Sequence, residues 1–219
     1  MAPIEKFEEN YFIVRLKHNP RRALVWNEIA KFIQPYLPKE GKVLELGAGY
    51  CDWINSTKAA VRFALDKSPI VLEHAARDVE AAVGDAAALS RFSNNSFDAV
   101  LASNLFEHLS DEEFELSLSE VRRILRPGGV LAVIQPNFYY SYRNYFDDYT
   151  HKKIFTHTGF AAFLEAFDFE IVYLLSRFVP FSFRSVGSFP IFRFLVRAYL
   201  YSPWKPFAGQ FLIIAKKHI

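Results

Sequence analysis

The chain has 219 residues, 51% of them hydrophobic, and a formal net charge of +2 at pH 7. This length and apolar content suffice for one domain, residues 1–219, with a substantial core. A single cysteine excludes an intrachain disulfide framework, and no apolar run reaches the ~18 residues of a membrane-spanning helix. The N-terminal residues contain no basic stretch followed by a long apolar one, so no secretory signal is expected. We therefore expect a cytoplasmic protein.

The first predicted element is a helix from Asn19-Pro20 to about Ile33. Asparagine is a good helix cap, and proline suits the first helical position. This helix belongs to an N-terminal cover, residues 1–38, that precedes the first strand.

A strand that ends in a glycine-rich turn is the most informative segment of the chain. In residues 43–49 an apolar strand carries Glu45 near its end and continues directly into Gly47, Ala48 and Gly49. Glycines let the backbone lie flat against a ligand that a Cβ atom would push away. The segment therefore predicts a nucleotide-like cofactor site, although a two-glycine turn alone is a weak signal.

Polar residues also follow the next three predicted strands, which cover residues 61–65, 81–84 and 97–103. Asp66, Asp85 and Asn104 continue the series that begins at Glu45, at intervals of about 20 residues. Such intervals fit repeated strand–helix units of a parallel sheet, whose strand ends form one ligand crevice. A carboxylate after the second strand can accept hydrogen bonds from both hydroxyls of a ribose, which is the role predicted for Asp66.

The later helices have clear start signals. Ser68-Pro69 begins a short one, and Thr156 or Thr158 caps one that ends near Ala166. Ser110 and Glu113 form a predicted capping box, followed by an apolar stripe and a stop at residues 127–129. The stripe consists of Phe114, Leu118, Val121 and Leu125.

Three more strands complete the predicted sheet: residues 130–134, 169–175 and 210–215. We expect an α/β fold, a Rossmann-like doubly wound, seven-stranded mixed sheet with helices on both faces. Residues 39–176 would form the cofactor-binding core and residues 209–219 the final strand.

Between the last two strands, residues 177–208 form a basic, aromatic insertion. After Glu170 the chain has no aspartate or glutamate but seven lysines and arginines, and eight of its 23 phenylalanines. Three interpretations remain open: a lid or subunit contact, a wall for an anionic acceptor, or contact with a membrane surface. The third rests on Arg193 and Arg197, four residues apart in an apolar segment. Nucleic acid is not an expected partner, because the basic residues are sparse and the rest of the chain is acidic.

Five motifs in order resemble those of class I S-adenosylmethionine-dependent methyltransferases: VLELGAG, ALDKS, VGDAAAL, FDAVLASNLFEHL and ILRPGGVLAVIQPN. The resemblance covers roughly residues 40–176 and recurs in the final strand. Three further segments, GAGYCDWIN, QPNFYYSYRNYFDDYTHKKIFTHTGF and GQFLIIAKK, are similar to a bacterial subgroup found among polysaccharide- and sugar-modifying enzymes. That similarity implies a sugar hydroxyl or a glycolipid as the methyl acceptor. The chain departs from the pattern at Cys51, where many members have a third glycine.

The resemblance implies S-adenosylmethionine as the cofactor and assigns residues to it. The turn at Gly47, Ala48 and Gly49 would pass under the methionine part, and the backbone near Asn104 would hold its amino acid end. Asp66 would hold the ribose, and Asp85 and Ala86 would border the adenine. Glu45, Lys67 and Leu105, which adjoin these positions, complete the expected cofactor site.

Methyl transfer to a hydroxyl also needs a group that takes its proton. Histidine is the usual candidate, and His108, His151 and His157 follow the fourth and fifth strands. We predict His151 as the base, oriented by a carboxylate of Asp147 or Asp148, and His108 as the second candidate. The alternative is that both histidines only tie loops down.

No metal is expected at Glu107, His108 and His151. These three resemble the metal ligands of some methyltransferases that act on adjacent hydroxyls, but Asn104 replaces a second glutamate of that pattern. The tyrosine-rich segment 138–149 is either an acceptor pocket or the packed floor of a lid.

Two other functions compete with a methyltransferase. A nicotinamide-dependent oxidoreductase would use the same turn, but it would want a third glycine there. A non-catalytic cofactor-binding or scaffolding subunit, recruited to a membrane-associated assembly through residues 177–208, is the main alternative. The sequence leaves the oligomeric state open.

Overall fold

The computed structural model describes residues 18–180 and 193–219, and in this part of the chain seven strands form one sheet. The strand order is β3-β2-β1-β4-β5-β7-β6. Strands β1 to β5 run parallel, and β7 is antiparallel to both β5 and β6. This confirms the predicted mixed, doubly wound sheet. The strands are β1 Lys42–Leu46, β2 Val61–Asp66, β3 Glu80–Val83, β4 Phe97–Ser103, β5 Leu125–Pro136, β6 Phe169–Leu175 and β7 Gln210–Lys217.

Helices cover both faces of this sheet. They are α1 Arg21–Ile33, α2 Ile70–His74, α3 Asp111–Ile124, α4 Phe138–Ser141, α5 His157–Ala166 and α6 Arg193–Tyr201. One face packs against α1 and α6, with Ile29 and Leu200 buried in its core cluster. The other face packs against α3 and α5, with Phe114 and Phe160 in a second cluster. The central strands β1, β4, β5 and β7 are therefore largely buried on both faces, as the middle of such a sheet requires.

The predicted capping box of α3 is present. The Ser110 hydroxyl accepts a hydrogen bond from the Glu113 amide at 3.2 Å, and the Glu113 carboxylate accepts one from the Ser110 amide at 2.8 Å. Phe114, Leu118 and Val121 are buried as predicted. At α5 the cap is Thr156, whose hydroxyl accepts a hydrogen bond from the Gly159 amide at 3.1 Å.

The predicted stop of α3 at residues 127–129 is wrong. The helix ends at Ile124 and β5 begins at the next residue. Phe97 pairs with Leu125 but Ala99 pairs with Val130, so residues 126–129 bulge out of the ladder between those pairs. Gly128 and Gly129 therefore lie in a bulge within β5 and not in a turn before it.

Other boundaries differ only slightly from those predicted. Strands β4 and β6 match, whereas β7 continues to Lys217 because that residue still pairs with Phe169. At the start of α1 the Asn19 side chain accepts a hydrogen bond from the Arg21 amide at 3.0 Å, yet Pro20 occupies the cap position.

Strand β1 lies between β2 and β4, where the winding of the sheet changes direction. Leu46 pairs with Leu65 on one side and with Ala102 on the other, so these three strands end at the same level. The turn at Gly47, Asp66 and Asn104 therefore meet at one edge, in the crevice where such sheets bind ligands.

The N-terminal cover and the basic insertion lie partly outside the described residues. Within the described ranges, none of the helices combines the length and the apolar character needed to cross a membrane.

Candidate functional site

The glycine turn after β1 has a left-handed backbone at both glycines. Gly47 has φ +67° and Gly49 φ +48°, and the amides of Gly47 and Ala48 both donate to the Leu65 carbonyl, at 2.9 and 3.1 Å. A Cβ atom on Gly47 would lie only 3.1 Å from Cδ1 of Leu105. The turn is thus tied to β2 and presses against the loop after β4.

Cys51 occupies the position at which many members of the resembled family have a third glycine. Its backbone also has positive φ, +57°, and its side chain is fully buried. Burial raises the pKa of this thiol to about 12, so the thiol stays protonated and unreactive. Cys51 therefore forms a small apolar wall behind the turn.

Asp66 links the turn to the start of α2. One of its carboxylate oxygens accepts a hydrogen bond from the Gly49 amide at 2.7 Å, and the other accepts one from the Ser68 amide at 2.8 Å. Burial raises the pKa of this carboxyl. Each oxygen has a second lone pair, so the carboxylate can shape the turn and still accept from a ligand.

Glu45 is buried behind the turn. Its carboxylate accepts a hydrogen bond from the Ile54 amide at 3.1 Å, and burial raises its pKa well above the usual value. The charges of Asp52 and Asp66 raise this pKa further, and Arg22 opposes them. The carboxyls of Glu45 and Asp66 therefore lie close enough to repel each other.

The sequence analysis missed Arg22 and Asp52. Arg22, on α1, reaches Asp52 with Nε 3.0 Å from a carboxylate oxygen. The pair ties the N-terminal cover to the loop after β1. Asp52 lies in the quoted motif GAGYCDWIN, which was the available signal, but nothing in the sequence singles out Arg22 from Arg21.

Asp85 and Lys67 lie together beside the turn. Lys67 Nζ is 3.1 Å from one carboxylate oxygen of Asp85, and the other accepts a hydrogen bond from the Ala87 amide at 2.8 Å. Lys67 also lies 3.6 Å from Glu113 on α3. Ala86 is buried next to this pair. Lys67 directly follows Asp66 in the sequence and contacts Asp85, so it links these two predicted cofactor residues.

Asn104 ties three strands together. Its backbone has φ +49°, and its amide donates to the Ile134 carbonyl at 2.9 Å. Its side-chain oxygen accepts a hydrogen bond from Gln210 at the start of β7, at 2.8 Å. This geometry places Leu105 under Gly47, so β1 and β4 meet across the crevice as predicted.

His108 and His151 lie in one cluster with Glu107. The two imidazole rings are 5.0 Å apart between centroids, and Nε2 of His108 is 3.8 Å from the Glu107 carboxylate. Nε2 of His151 lies 4.0 Å from the Asp148 carboxylate, so the expected acidic neighbour is present. Nδ1 of His108 is 2.9 Å from the hydroxyl of Thr150.

Burial sets the charges in this cluster. It raises the pKa of Glu107 to about 8 and lowers the pKa of His108 to about 4. At neutral pH Glu107 is therefore largely protonated and His108 is neutral. The exposed fraction of the side chain is 32% for His108 and 5% for His151.

Glu107, His108 and His151 could also hold a cation, since one ligand atom of each lies within 4.8 Å of the others. Asn104, which replaces a fourth ligand in the sequence pattern, has its side-chain oxygen bonded to Gln210. The expectation of no metal remains a prediction.

His157 lies apart, in an aromatic wall. Its Nδ1 is 3.0 Å from the Asn137 side-chain nitrogen, and its ring stacks on Tyr140 with an interplanar angle of 17°. The Arg177 guanidinium lies 5.0 Å above the same tyrosine ring. Tyr139 is exposed beside them, so this wall presents aromatic faces and one cation to the solvent.

Buried polar atoms lie where β5 ends. Both side-chain atoms of Gln135 and Oδ1 of Asn137 have no well-formed hydrogen bond within the described residues, and neither does Oε2 of Glu107. Gln135 adjoins the Glu107 carboxyl. Because buried polar groups without partners cost free energy, atoms of this kind are expected where a ligand completes the bonding.

Comparison with known proteins finds one family match in the first half of the sheet and one curated relative. Residues 43–129 match the model of a methyltransferase domain family. An uncharacterized protein of Methanocaldococcus jannaschii is 30% identical over 136 residues, 61% of this chain and 59% of that protein. The chain thus spans about three fifths of the length of the curated relative that it matches.

Solved structures show the same fold. An S-adenosylmethionine-dependent methyltransferase of Archaeoglobus fulgidus superposes with a TM-score of 0.68 at 21% identity, over 99% of this chain and 100% of that one. A Haloferax volcanii protein, named as a putative methyltransferase and solved with the Trm112 methyltransferase activator, superposes with a TM-score of 0.67 at 19% identity. The superposition covers 90% of this chain and 91% of that one. The chain therefore has the fold of these methyltransferases.

Proposed function

We propose that the chain is an S-adenosylmethionine-dependent methyltransferase that methylates a hydroxyl oxygen of a sugar, either small or carrier-linked. The main support is the crevice at the ends of β1, β2 and β4, within the segment that matches the family. There one oxygen of Asp66 holds the glycine turn through the Gly49 amide, the other holds the Ser68 amide, and Leu105 packs against Gly47.

This geometry supports the proposed cofactor contacts. The turn at Gly47, Ala48 and Gly49 admits a ligand against its backbone, and Asp66 has acceptor capacity left for a ribose diol. Asp85 and Ala86 border the adenine in this proposal, beside Lys67. The cofactor supplies a methyl group already activated on a sulfonium, so the protein mainly has to align the acceptor with it.

The proposed base is His151, with His108 as the second candidate. A pKa near 4 makes His108 a weak base at neutral pH, which favours His151. The Asp148 carboxylate at 4.0 Å can orient the His151 ring and stabilise its charged form. The acceptor hydroxyl would give its proton to this imidazole as its oxygen takes the methyl group.

The aromatic wall supports a sugar acceptor. Tyr140 and the neighbouring exposed Tyr139 offer ring faces on which a sugar can stack, and Arg177 offers a cation for a phosphate on a carrier-linked sugar. Gln135 and Asn137 offer buried polar atoms for sugar hydroxyls. We propose a cytoplasmic location and no nucleic acid partner.

Two variants separate cofactor binding from catalysis. Asp66→Ala should abolish binding of S-adenosylmethionine in calorimetric titration, because the turn loses two backbone hydrogen bonds and the ribose its acceptor. A matched control, Asp98→Ala, removes a carboxylate that lies at the other end of the sheet, beside Lys42 and Arg126, and should bind normally.

His151→Ala should bind the cofactor like the unmodified protein but lose at least about 100-fold in the rate of methyl transfer. The assay measures label passed from S-adenosylmethionine to nucleotide sugars, lipid-linked sugars and free glycans. Retained turnover would exclude His151 as the base. The same assay with and without a chelator tests the expectation that no metal is bound. Loss of methyl transfer on chelation would indicate a cation at Glu107, His108 and His151.

The main alternative remains a non-catalytic cofactor-binding or scaffolding subunit. It predicts that S-adenosylmethionine binds but that no acceptor class receives label.

A further inference from the structure

Helix α6 and the segment after it form a fixed platform on the side of the sheet that carries α1. Leu200 is buried in the core, and the Phe32 and Tyr201 rings lie 5.1 Å apart. The buried Lys205 ammonium donates to the carbonyls of Tyr199 and Leu200, at 3.0 and 2.7 Å, and closes the end of the helix. The outward side of this platform is therefore held in place.

That outward side carries large apolar side chains. Trp204 is 76% exposed and Phe207 87%, and Tyr201 is also more than half exposed. Single exposed apolar residues are common on protein surfaces, but three within seven residues form a patch. We call these three residues and the two arginines described below the outer face.

Phe207 shows that the fold does not place this patch for its own stability. Its backbone has φ +60°, a conformation that bulky residues rarely adopt. Its side chain is nevertheless almost fully exposed, so it contributes almost no hydrophobic stabilisation to the described part of the molecule. Strained and exposed large residues are expected where another surface supplies the compensating contact.

The charge of the outer face selects the kind of surface. Arg193 and Arg197 are exposed one helical turn apart, and no aspartate or glutamate follows Glu170 in the sequence. A second copy docked through the same face would bring two more arginines and no carboxylate from this stretch to pair with them. Aromatic and apolar side chains flanked by arginines instead match a bilayer surface, where rings enter the headgroup layer and cations meet lipid phosphates.

We infer that the outer face, formed by Arg193, Arg197, Tyr201, Trp204 and Phe207, docks on a lipid surface that contains anionic headgroups. The contact is peripheral and does not depend on which acceptor is methylated. It selects the membrane interpretation for residues 193–207, whereas Arg177, at the start of the same insertion, belongs to the aromatic wall.

Vesicle binding of the full chain tests this inference. Cosedimentation with vesicles of equal parts phosphatidylglycerol and phosphatidylcholine should exceed that with phosphatidylcholine alone, and added salt should reduce it. Neutralising Arg193 and Arg197 to alanine should weaken binding about fivefold per arginine. The matched control, Arg77→Ala with Arg91→Ala, removes two exposed arginines elsewhere and should change binding by less than about twofold.

A glycine variant separates docking from folding. Phe207→Gly removes the exposed ring and relieves the backbone strain, so vesicle binding should fall several-fold while the thermal midpoint stays the same or rises. Trp204→Ala should weaken binding with little change in that midpoint. If the ring served the fold, the glycine variant would melt lower instead.

Three results would overturn the inference: equal binding to anionic and neutral vesicles, no binding at low salt, or concentration-dependent dimerisation that Trp204→Ala abolishes. The last would assign the outer face to a second copy. None of these results depends on methyl transfer, so they can be distinguished from a failure of the proposed function.

Discussion

Buried carboxyls in the crevice make the stability of this protein depend on pH. Burial raises the pKa of Glu45 above its ordinary 4.5, so the folded chain holds this proton more tightly than the unfolded chain does. Its contribution to stability is complete below pH 4.5 and is lost as pH rises through the folded pKa. Above that pH the buried charge is a cost that only the Ile54 amide partly offsets.

Glu45→Gln should therefore increase the free energy of unfolding at pH 7 in the absence of cofactor. The amide oxygen can still accept from Ile54, and no charge has to be buried. The advantage of the variant should grow above pH 4.5 by at most about 1.4 kcal/mol per pH unit and then level off. Urea unfolding from pH 4.5 to 8 measures this difference. A constant difference across that range would contradict the assigned pKa direction.

Individual residues also mark the limit of what the sequence could predict. Asp66 and Asn104 were identified because each follows a strand. Their use of Gly49, Ser68 and Gln210 depends on how three strands and a loop pack in space, which the sequence pattern does not specify. Arg22 was missed for the same reason, since its partner Asp52 lies 30 residues away.

At the scale of elements, local sequence signals predicted where most helices start but misplaced the end of α3. The cap at Ser110 succeeded because its hydrogen bonds join residues three apart in sequence. The stop at residues 127–129 failed because a glycine pair breaks a helix and permits a strand bulge equally well. Pairing of Leu125 with Phe97 on β4 decides between the two, and that contact is not local.

Helix α3 offers a direct measure of the cap. Ser110→Ala removes the hydroxyl that accepts from the Glu113 amide and should lower the free energy of unfolding by about 1 kcal/mol. Ser93→Ala, an exposed serine in a loop, is the control and should stay within about 0.5 kcal/mol of the unmodified protein. Equilibrium unfolding in urea compares the three proteins. If Ser110→Ala were as stable as Ser93→Ala, the hydrogen bond from the residue 110 amide to the Glu113 carboxylate would suffice to hold the start of α3.

For the whole molecule, the sheet order explains why a cofactor should stabilise the entire domain. The crevice is lined from β1, β2 and β4, and Asn104 connects it to β5 and β7. A ligand held there bridges both halves of the sheet, so its binding free energy opposes global unfolding and not only the opening of one loop.

S-adenosylmethionine at about 100 times its dissociation constant should therefore add about 2.7 kcal/mol to the free energy of unfolding. For a domain of this size the thermal midpoint should rise by roughly 5 to 10 °C. A nicotinamide dinucleotide at the same concentration should leave the midpoint unchanged, because the turn lacks the third glycine of that cofactor's site. Thermal melting with each compound decides between them, and a shift with the dinucleotide alone would make the chain an oxidoreductase on a methyltransferase-like fold.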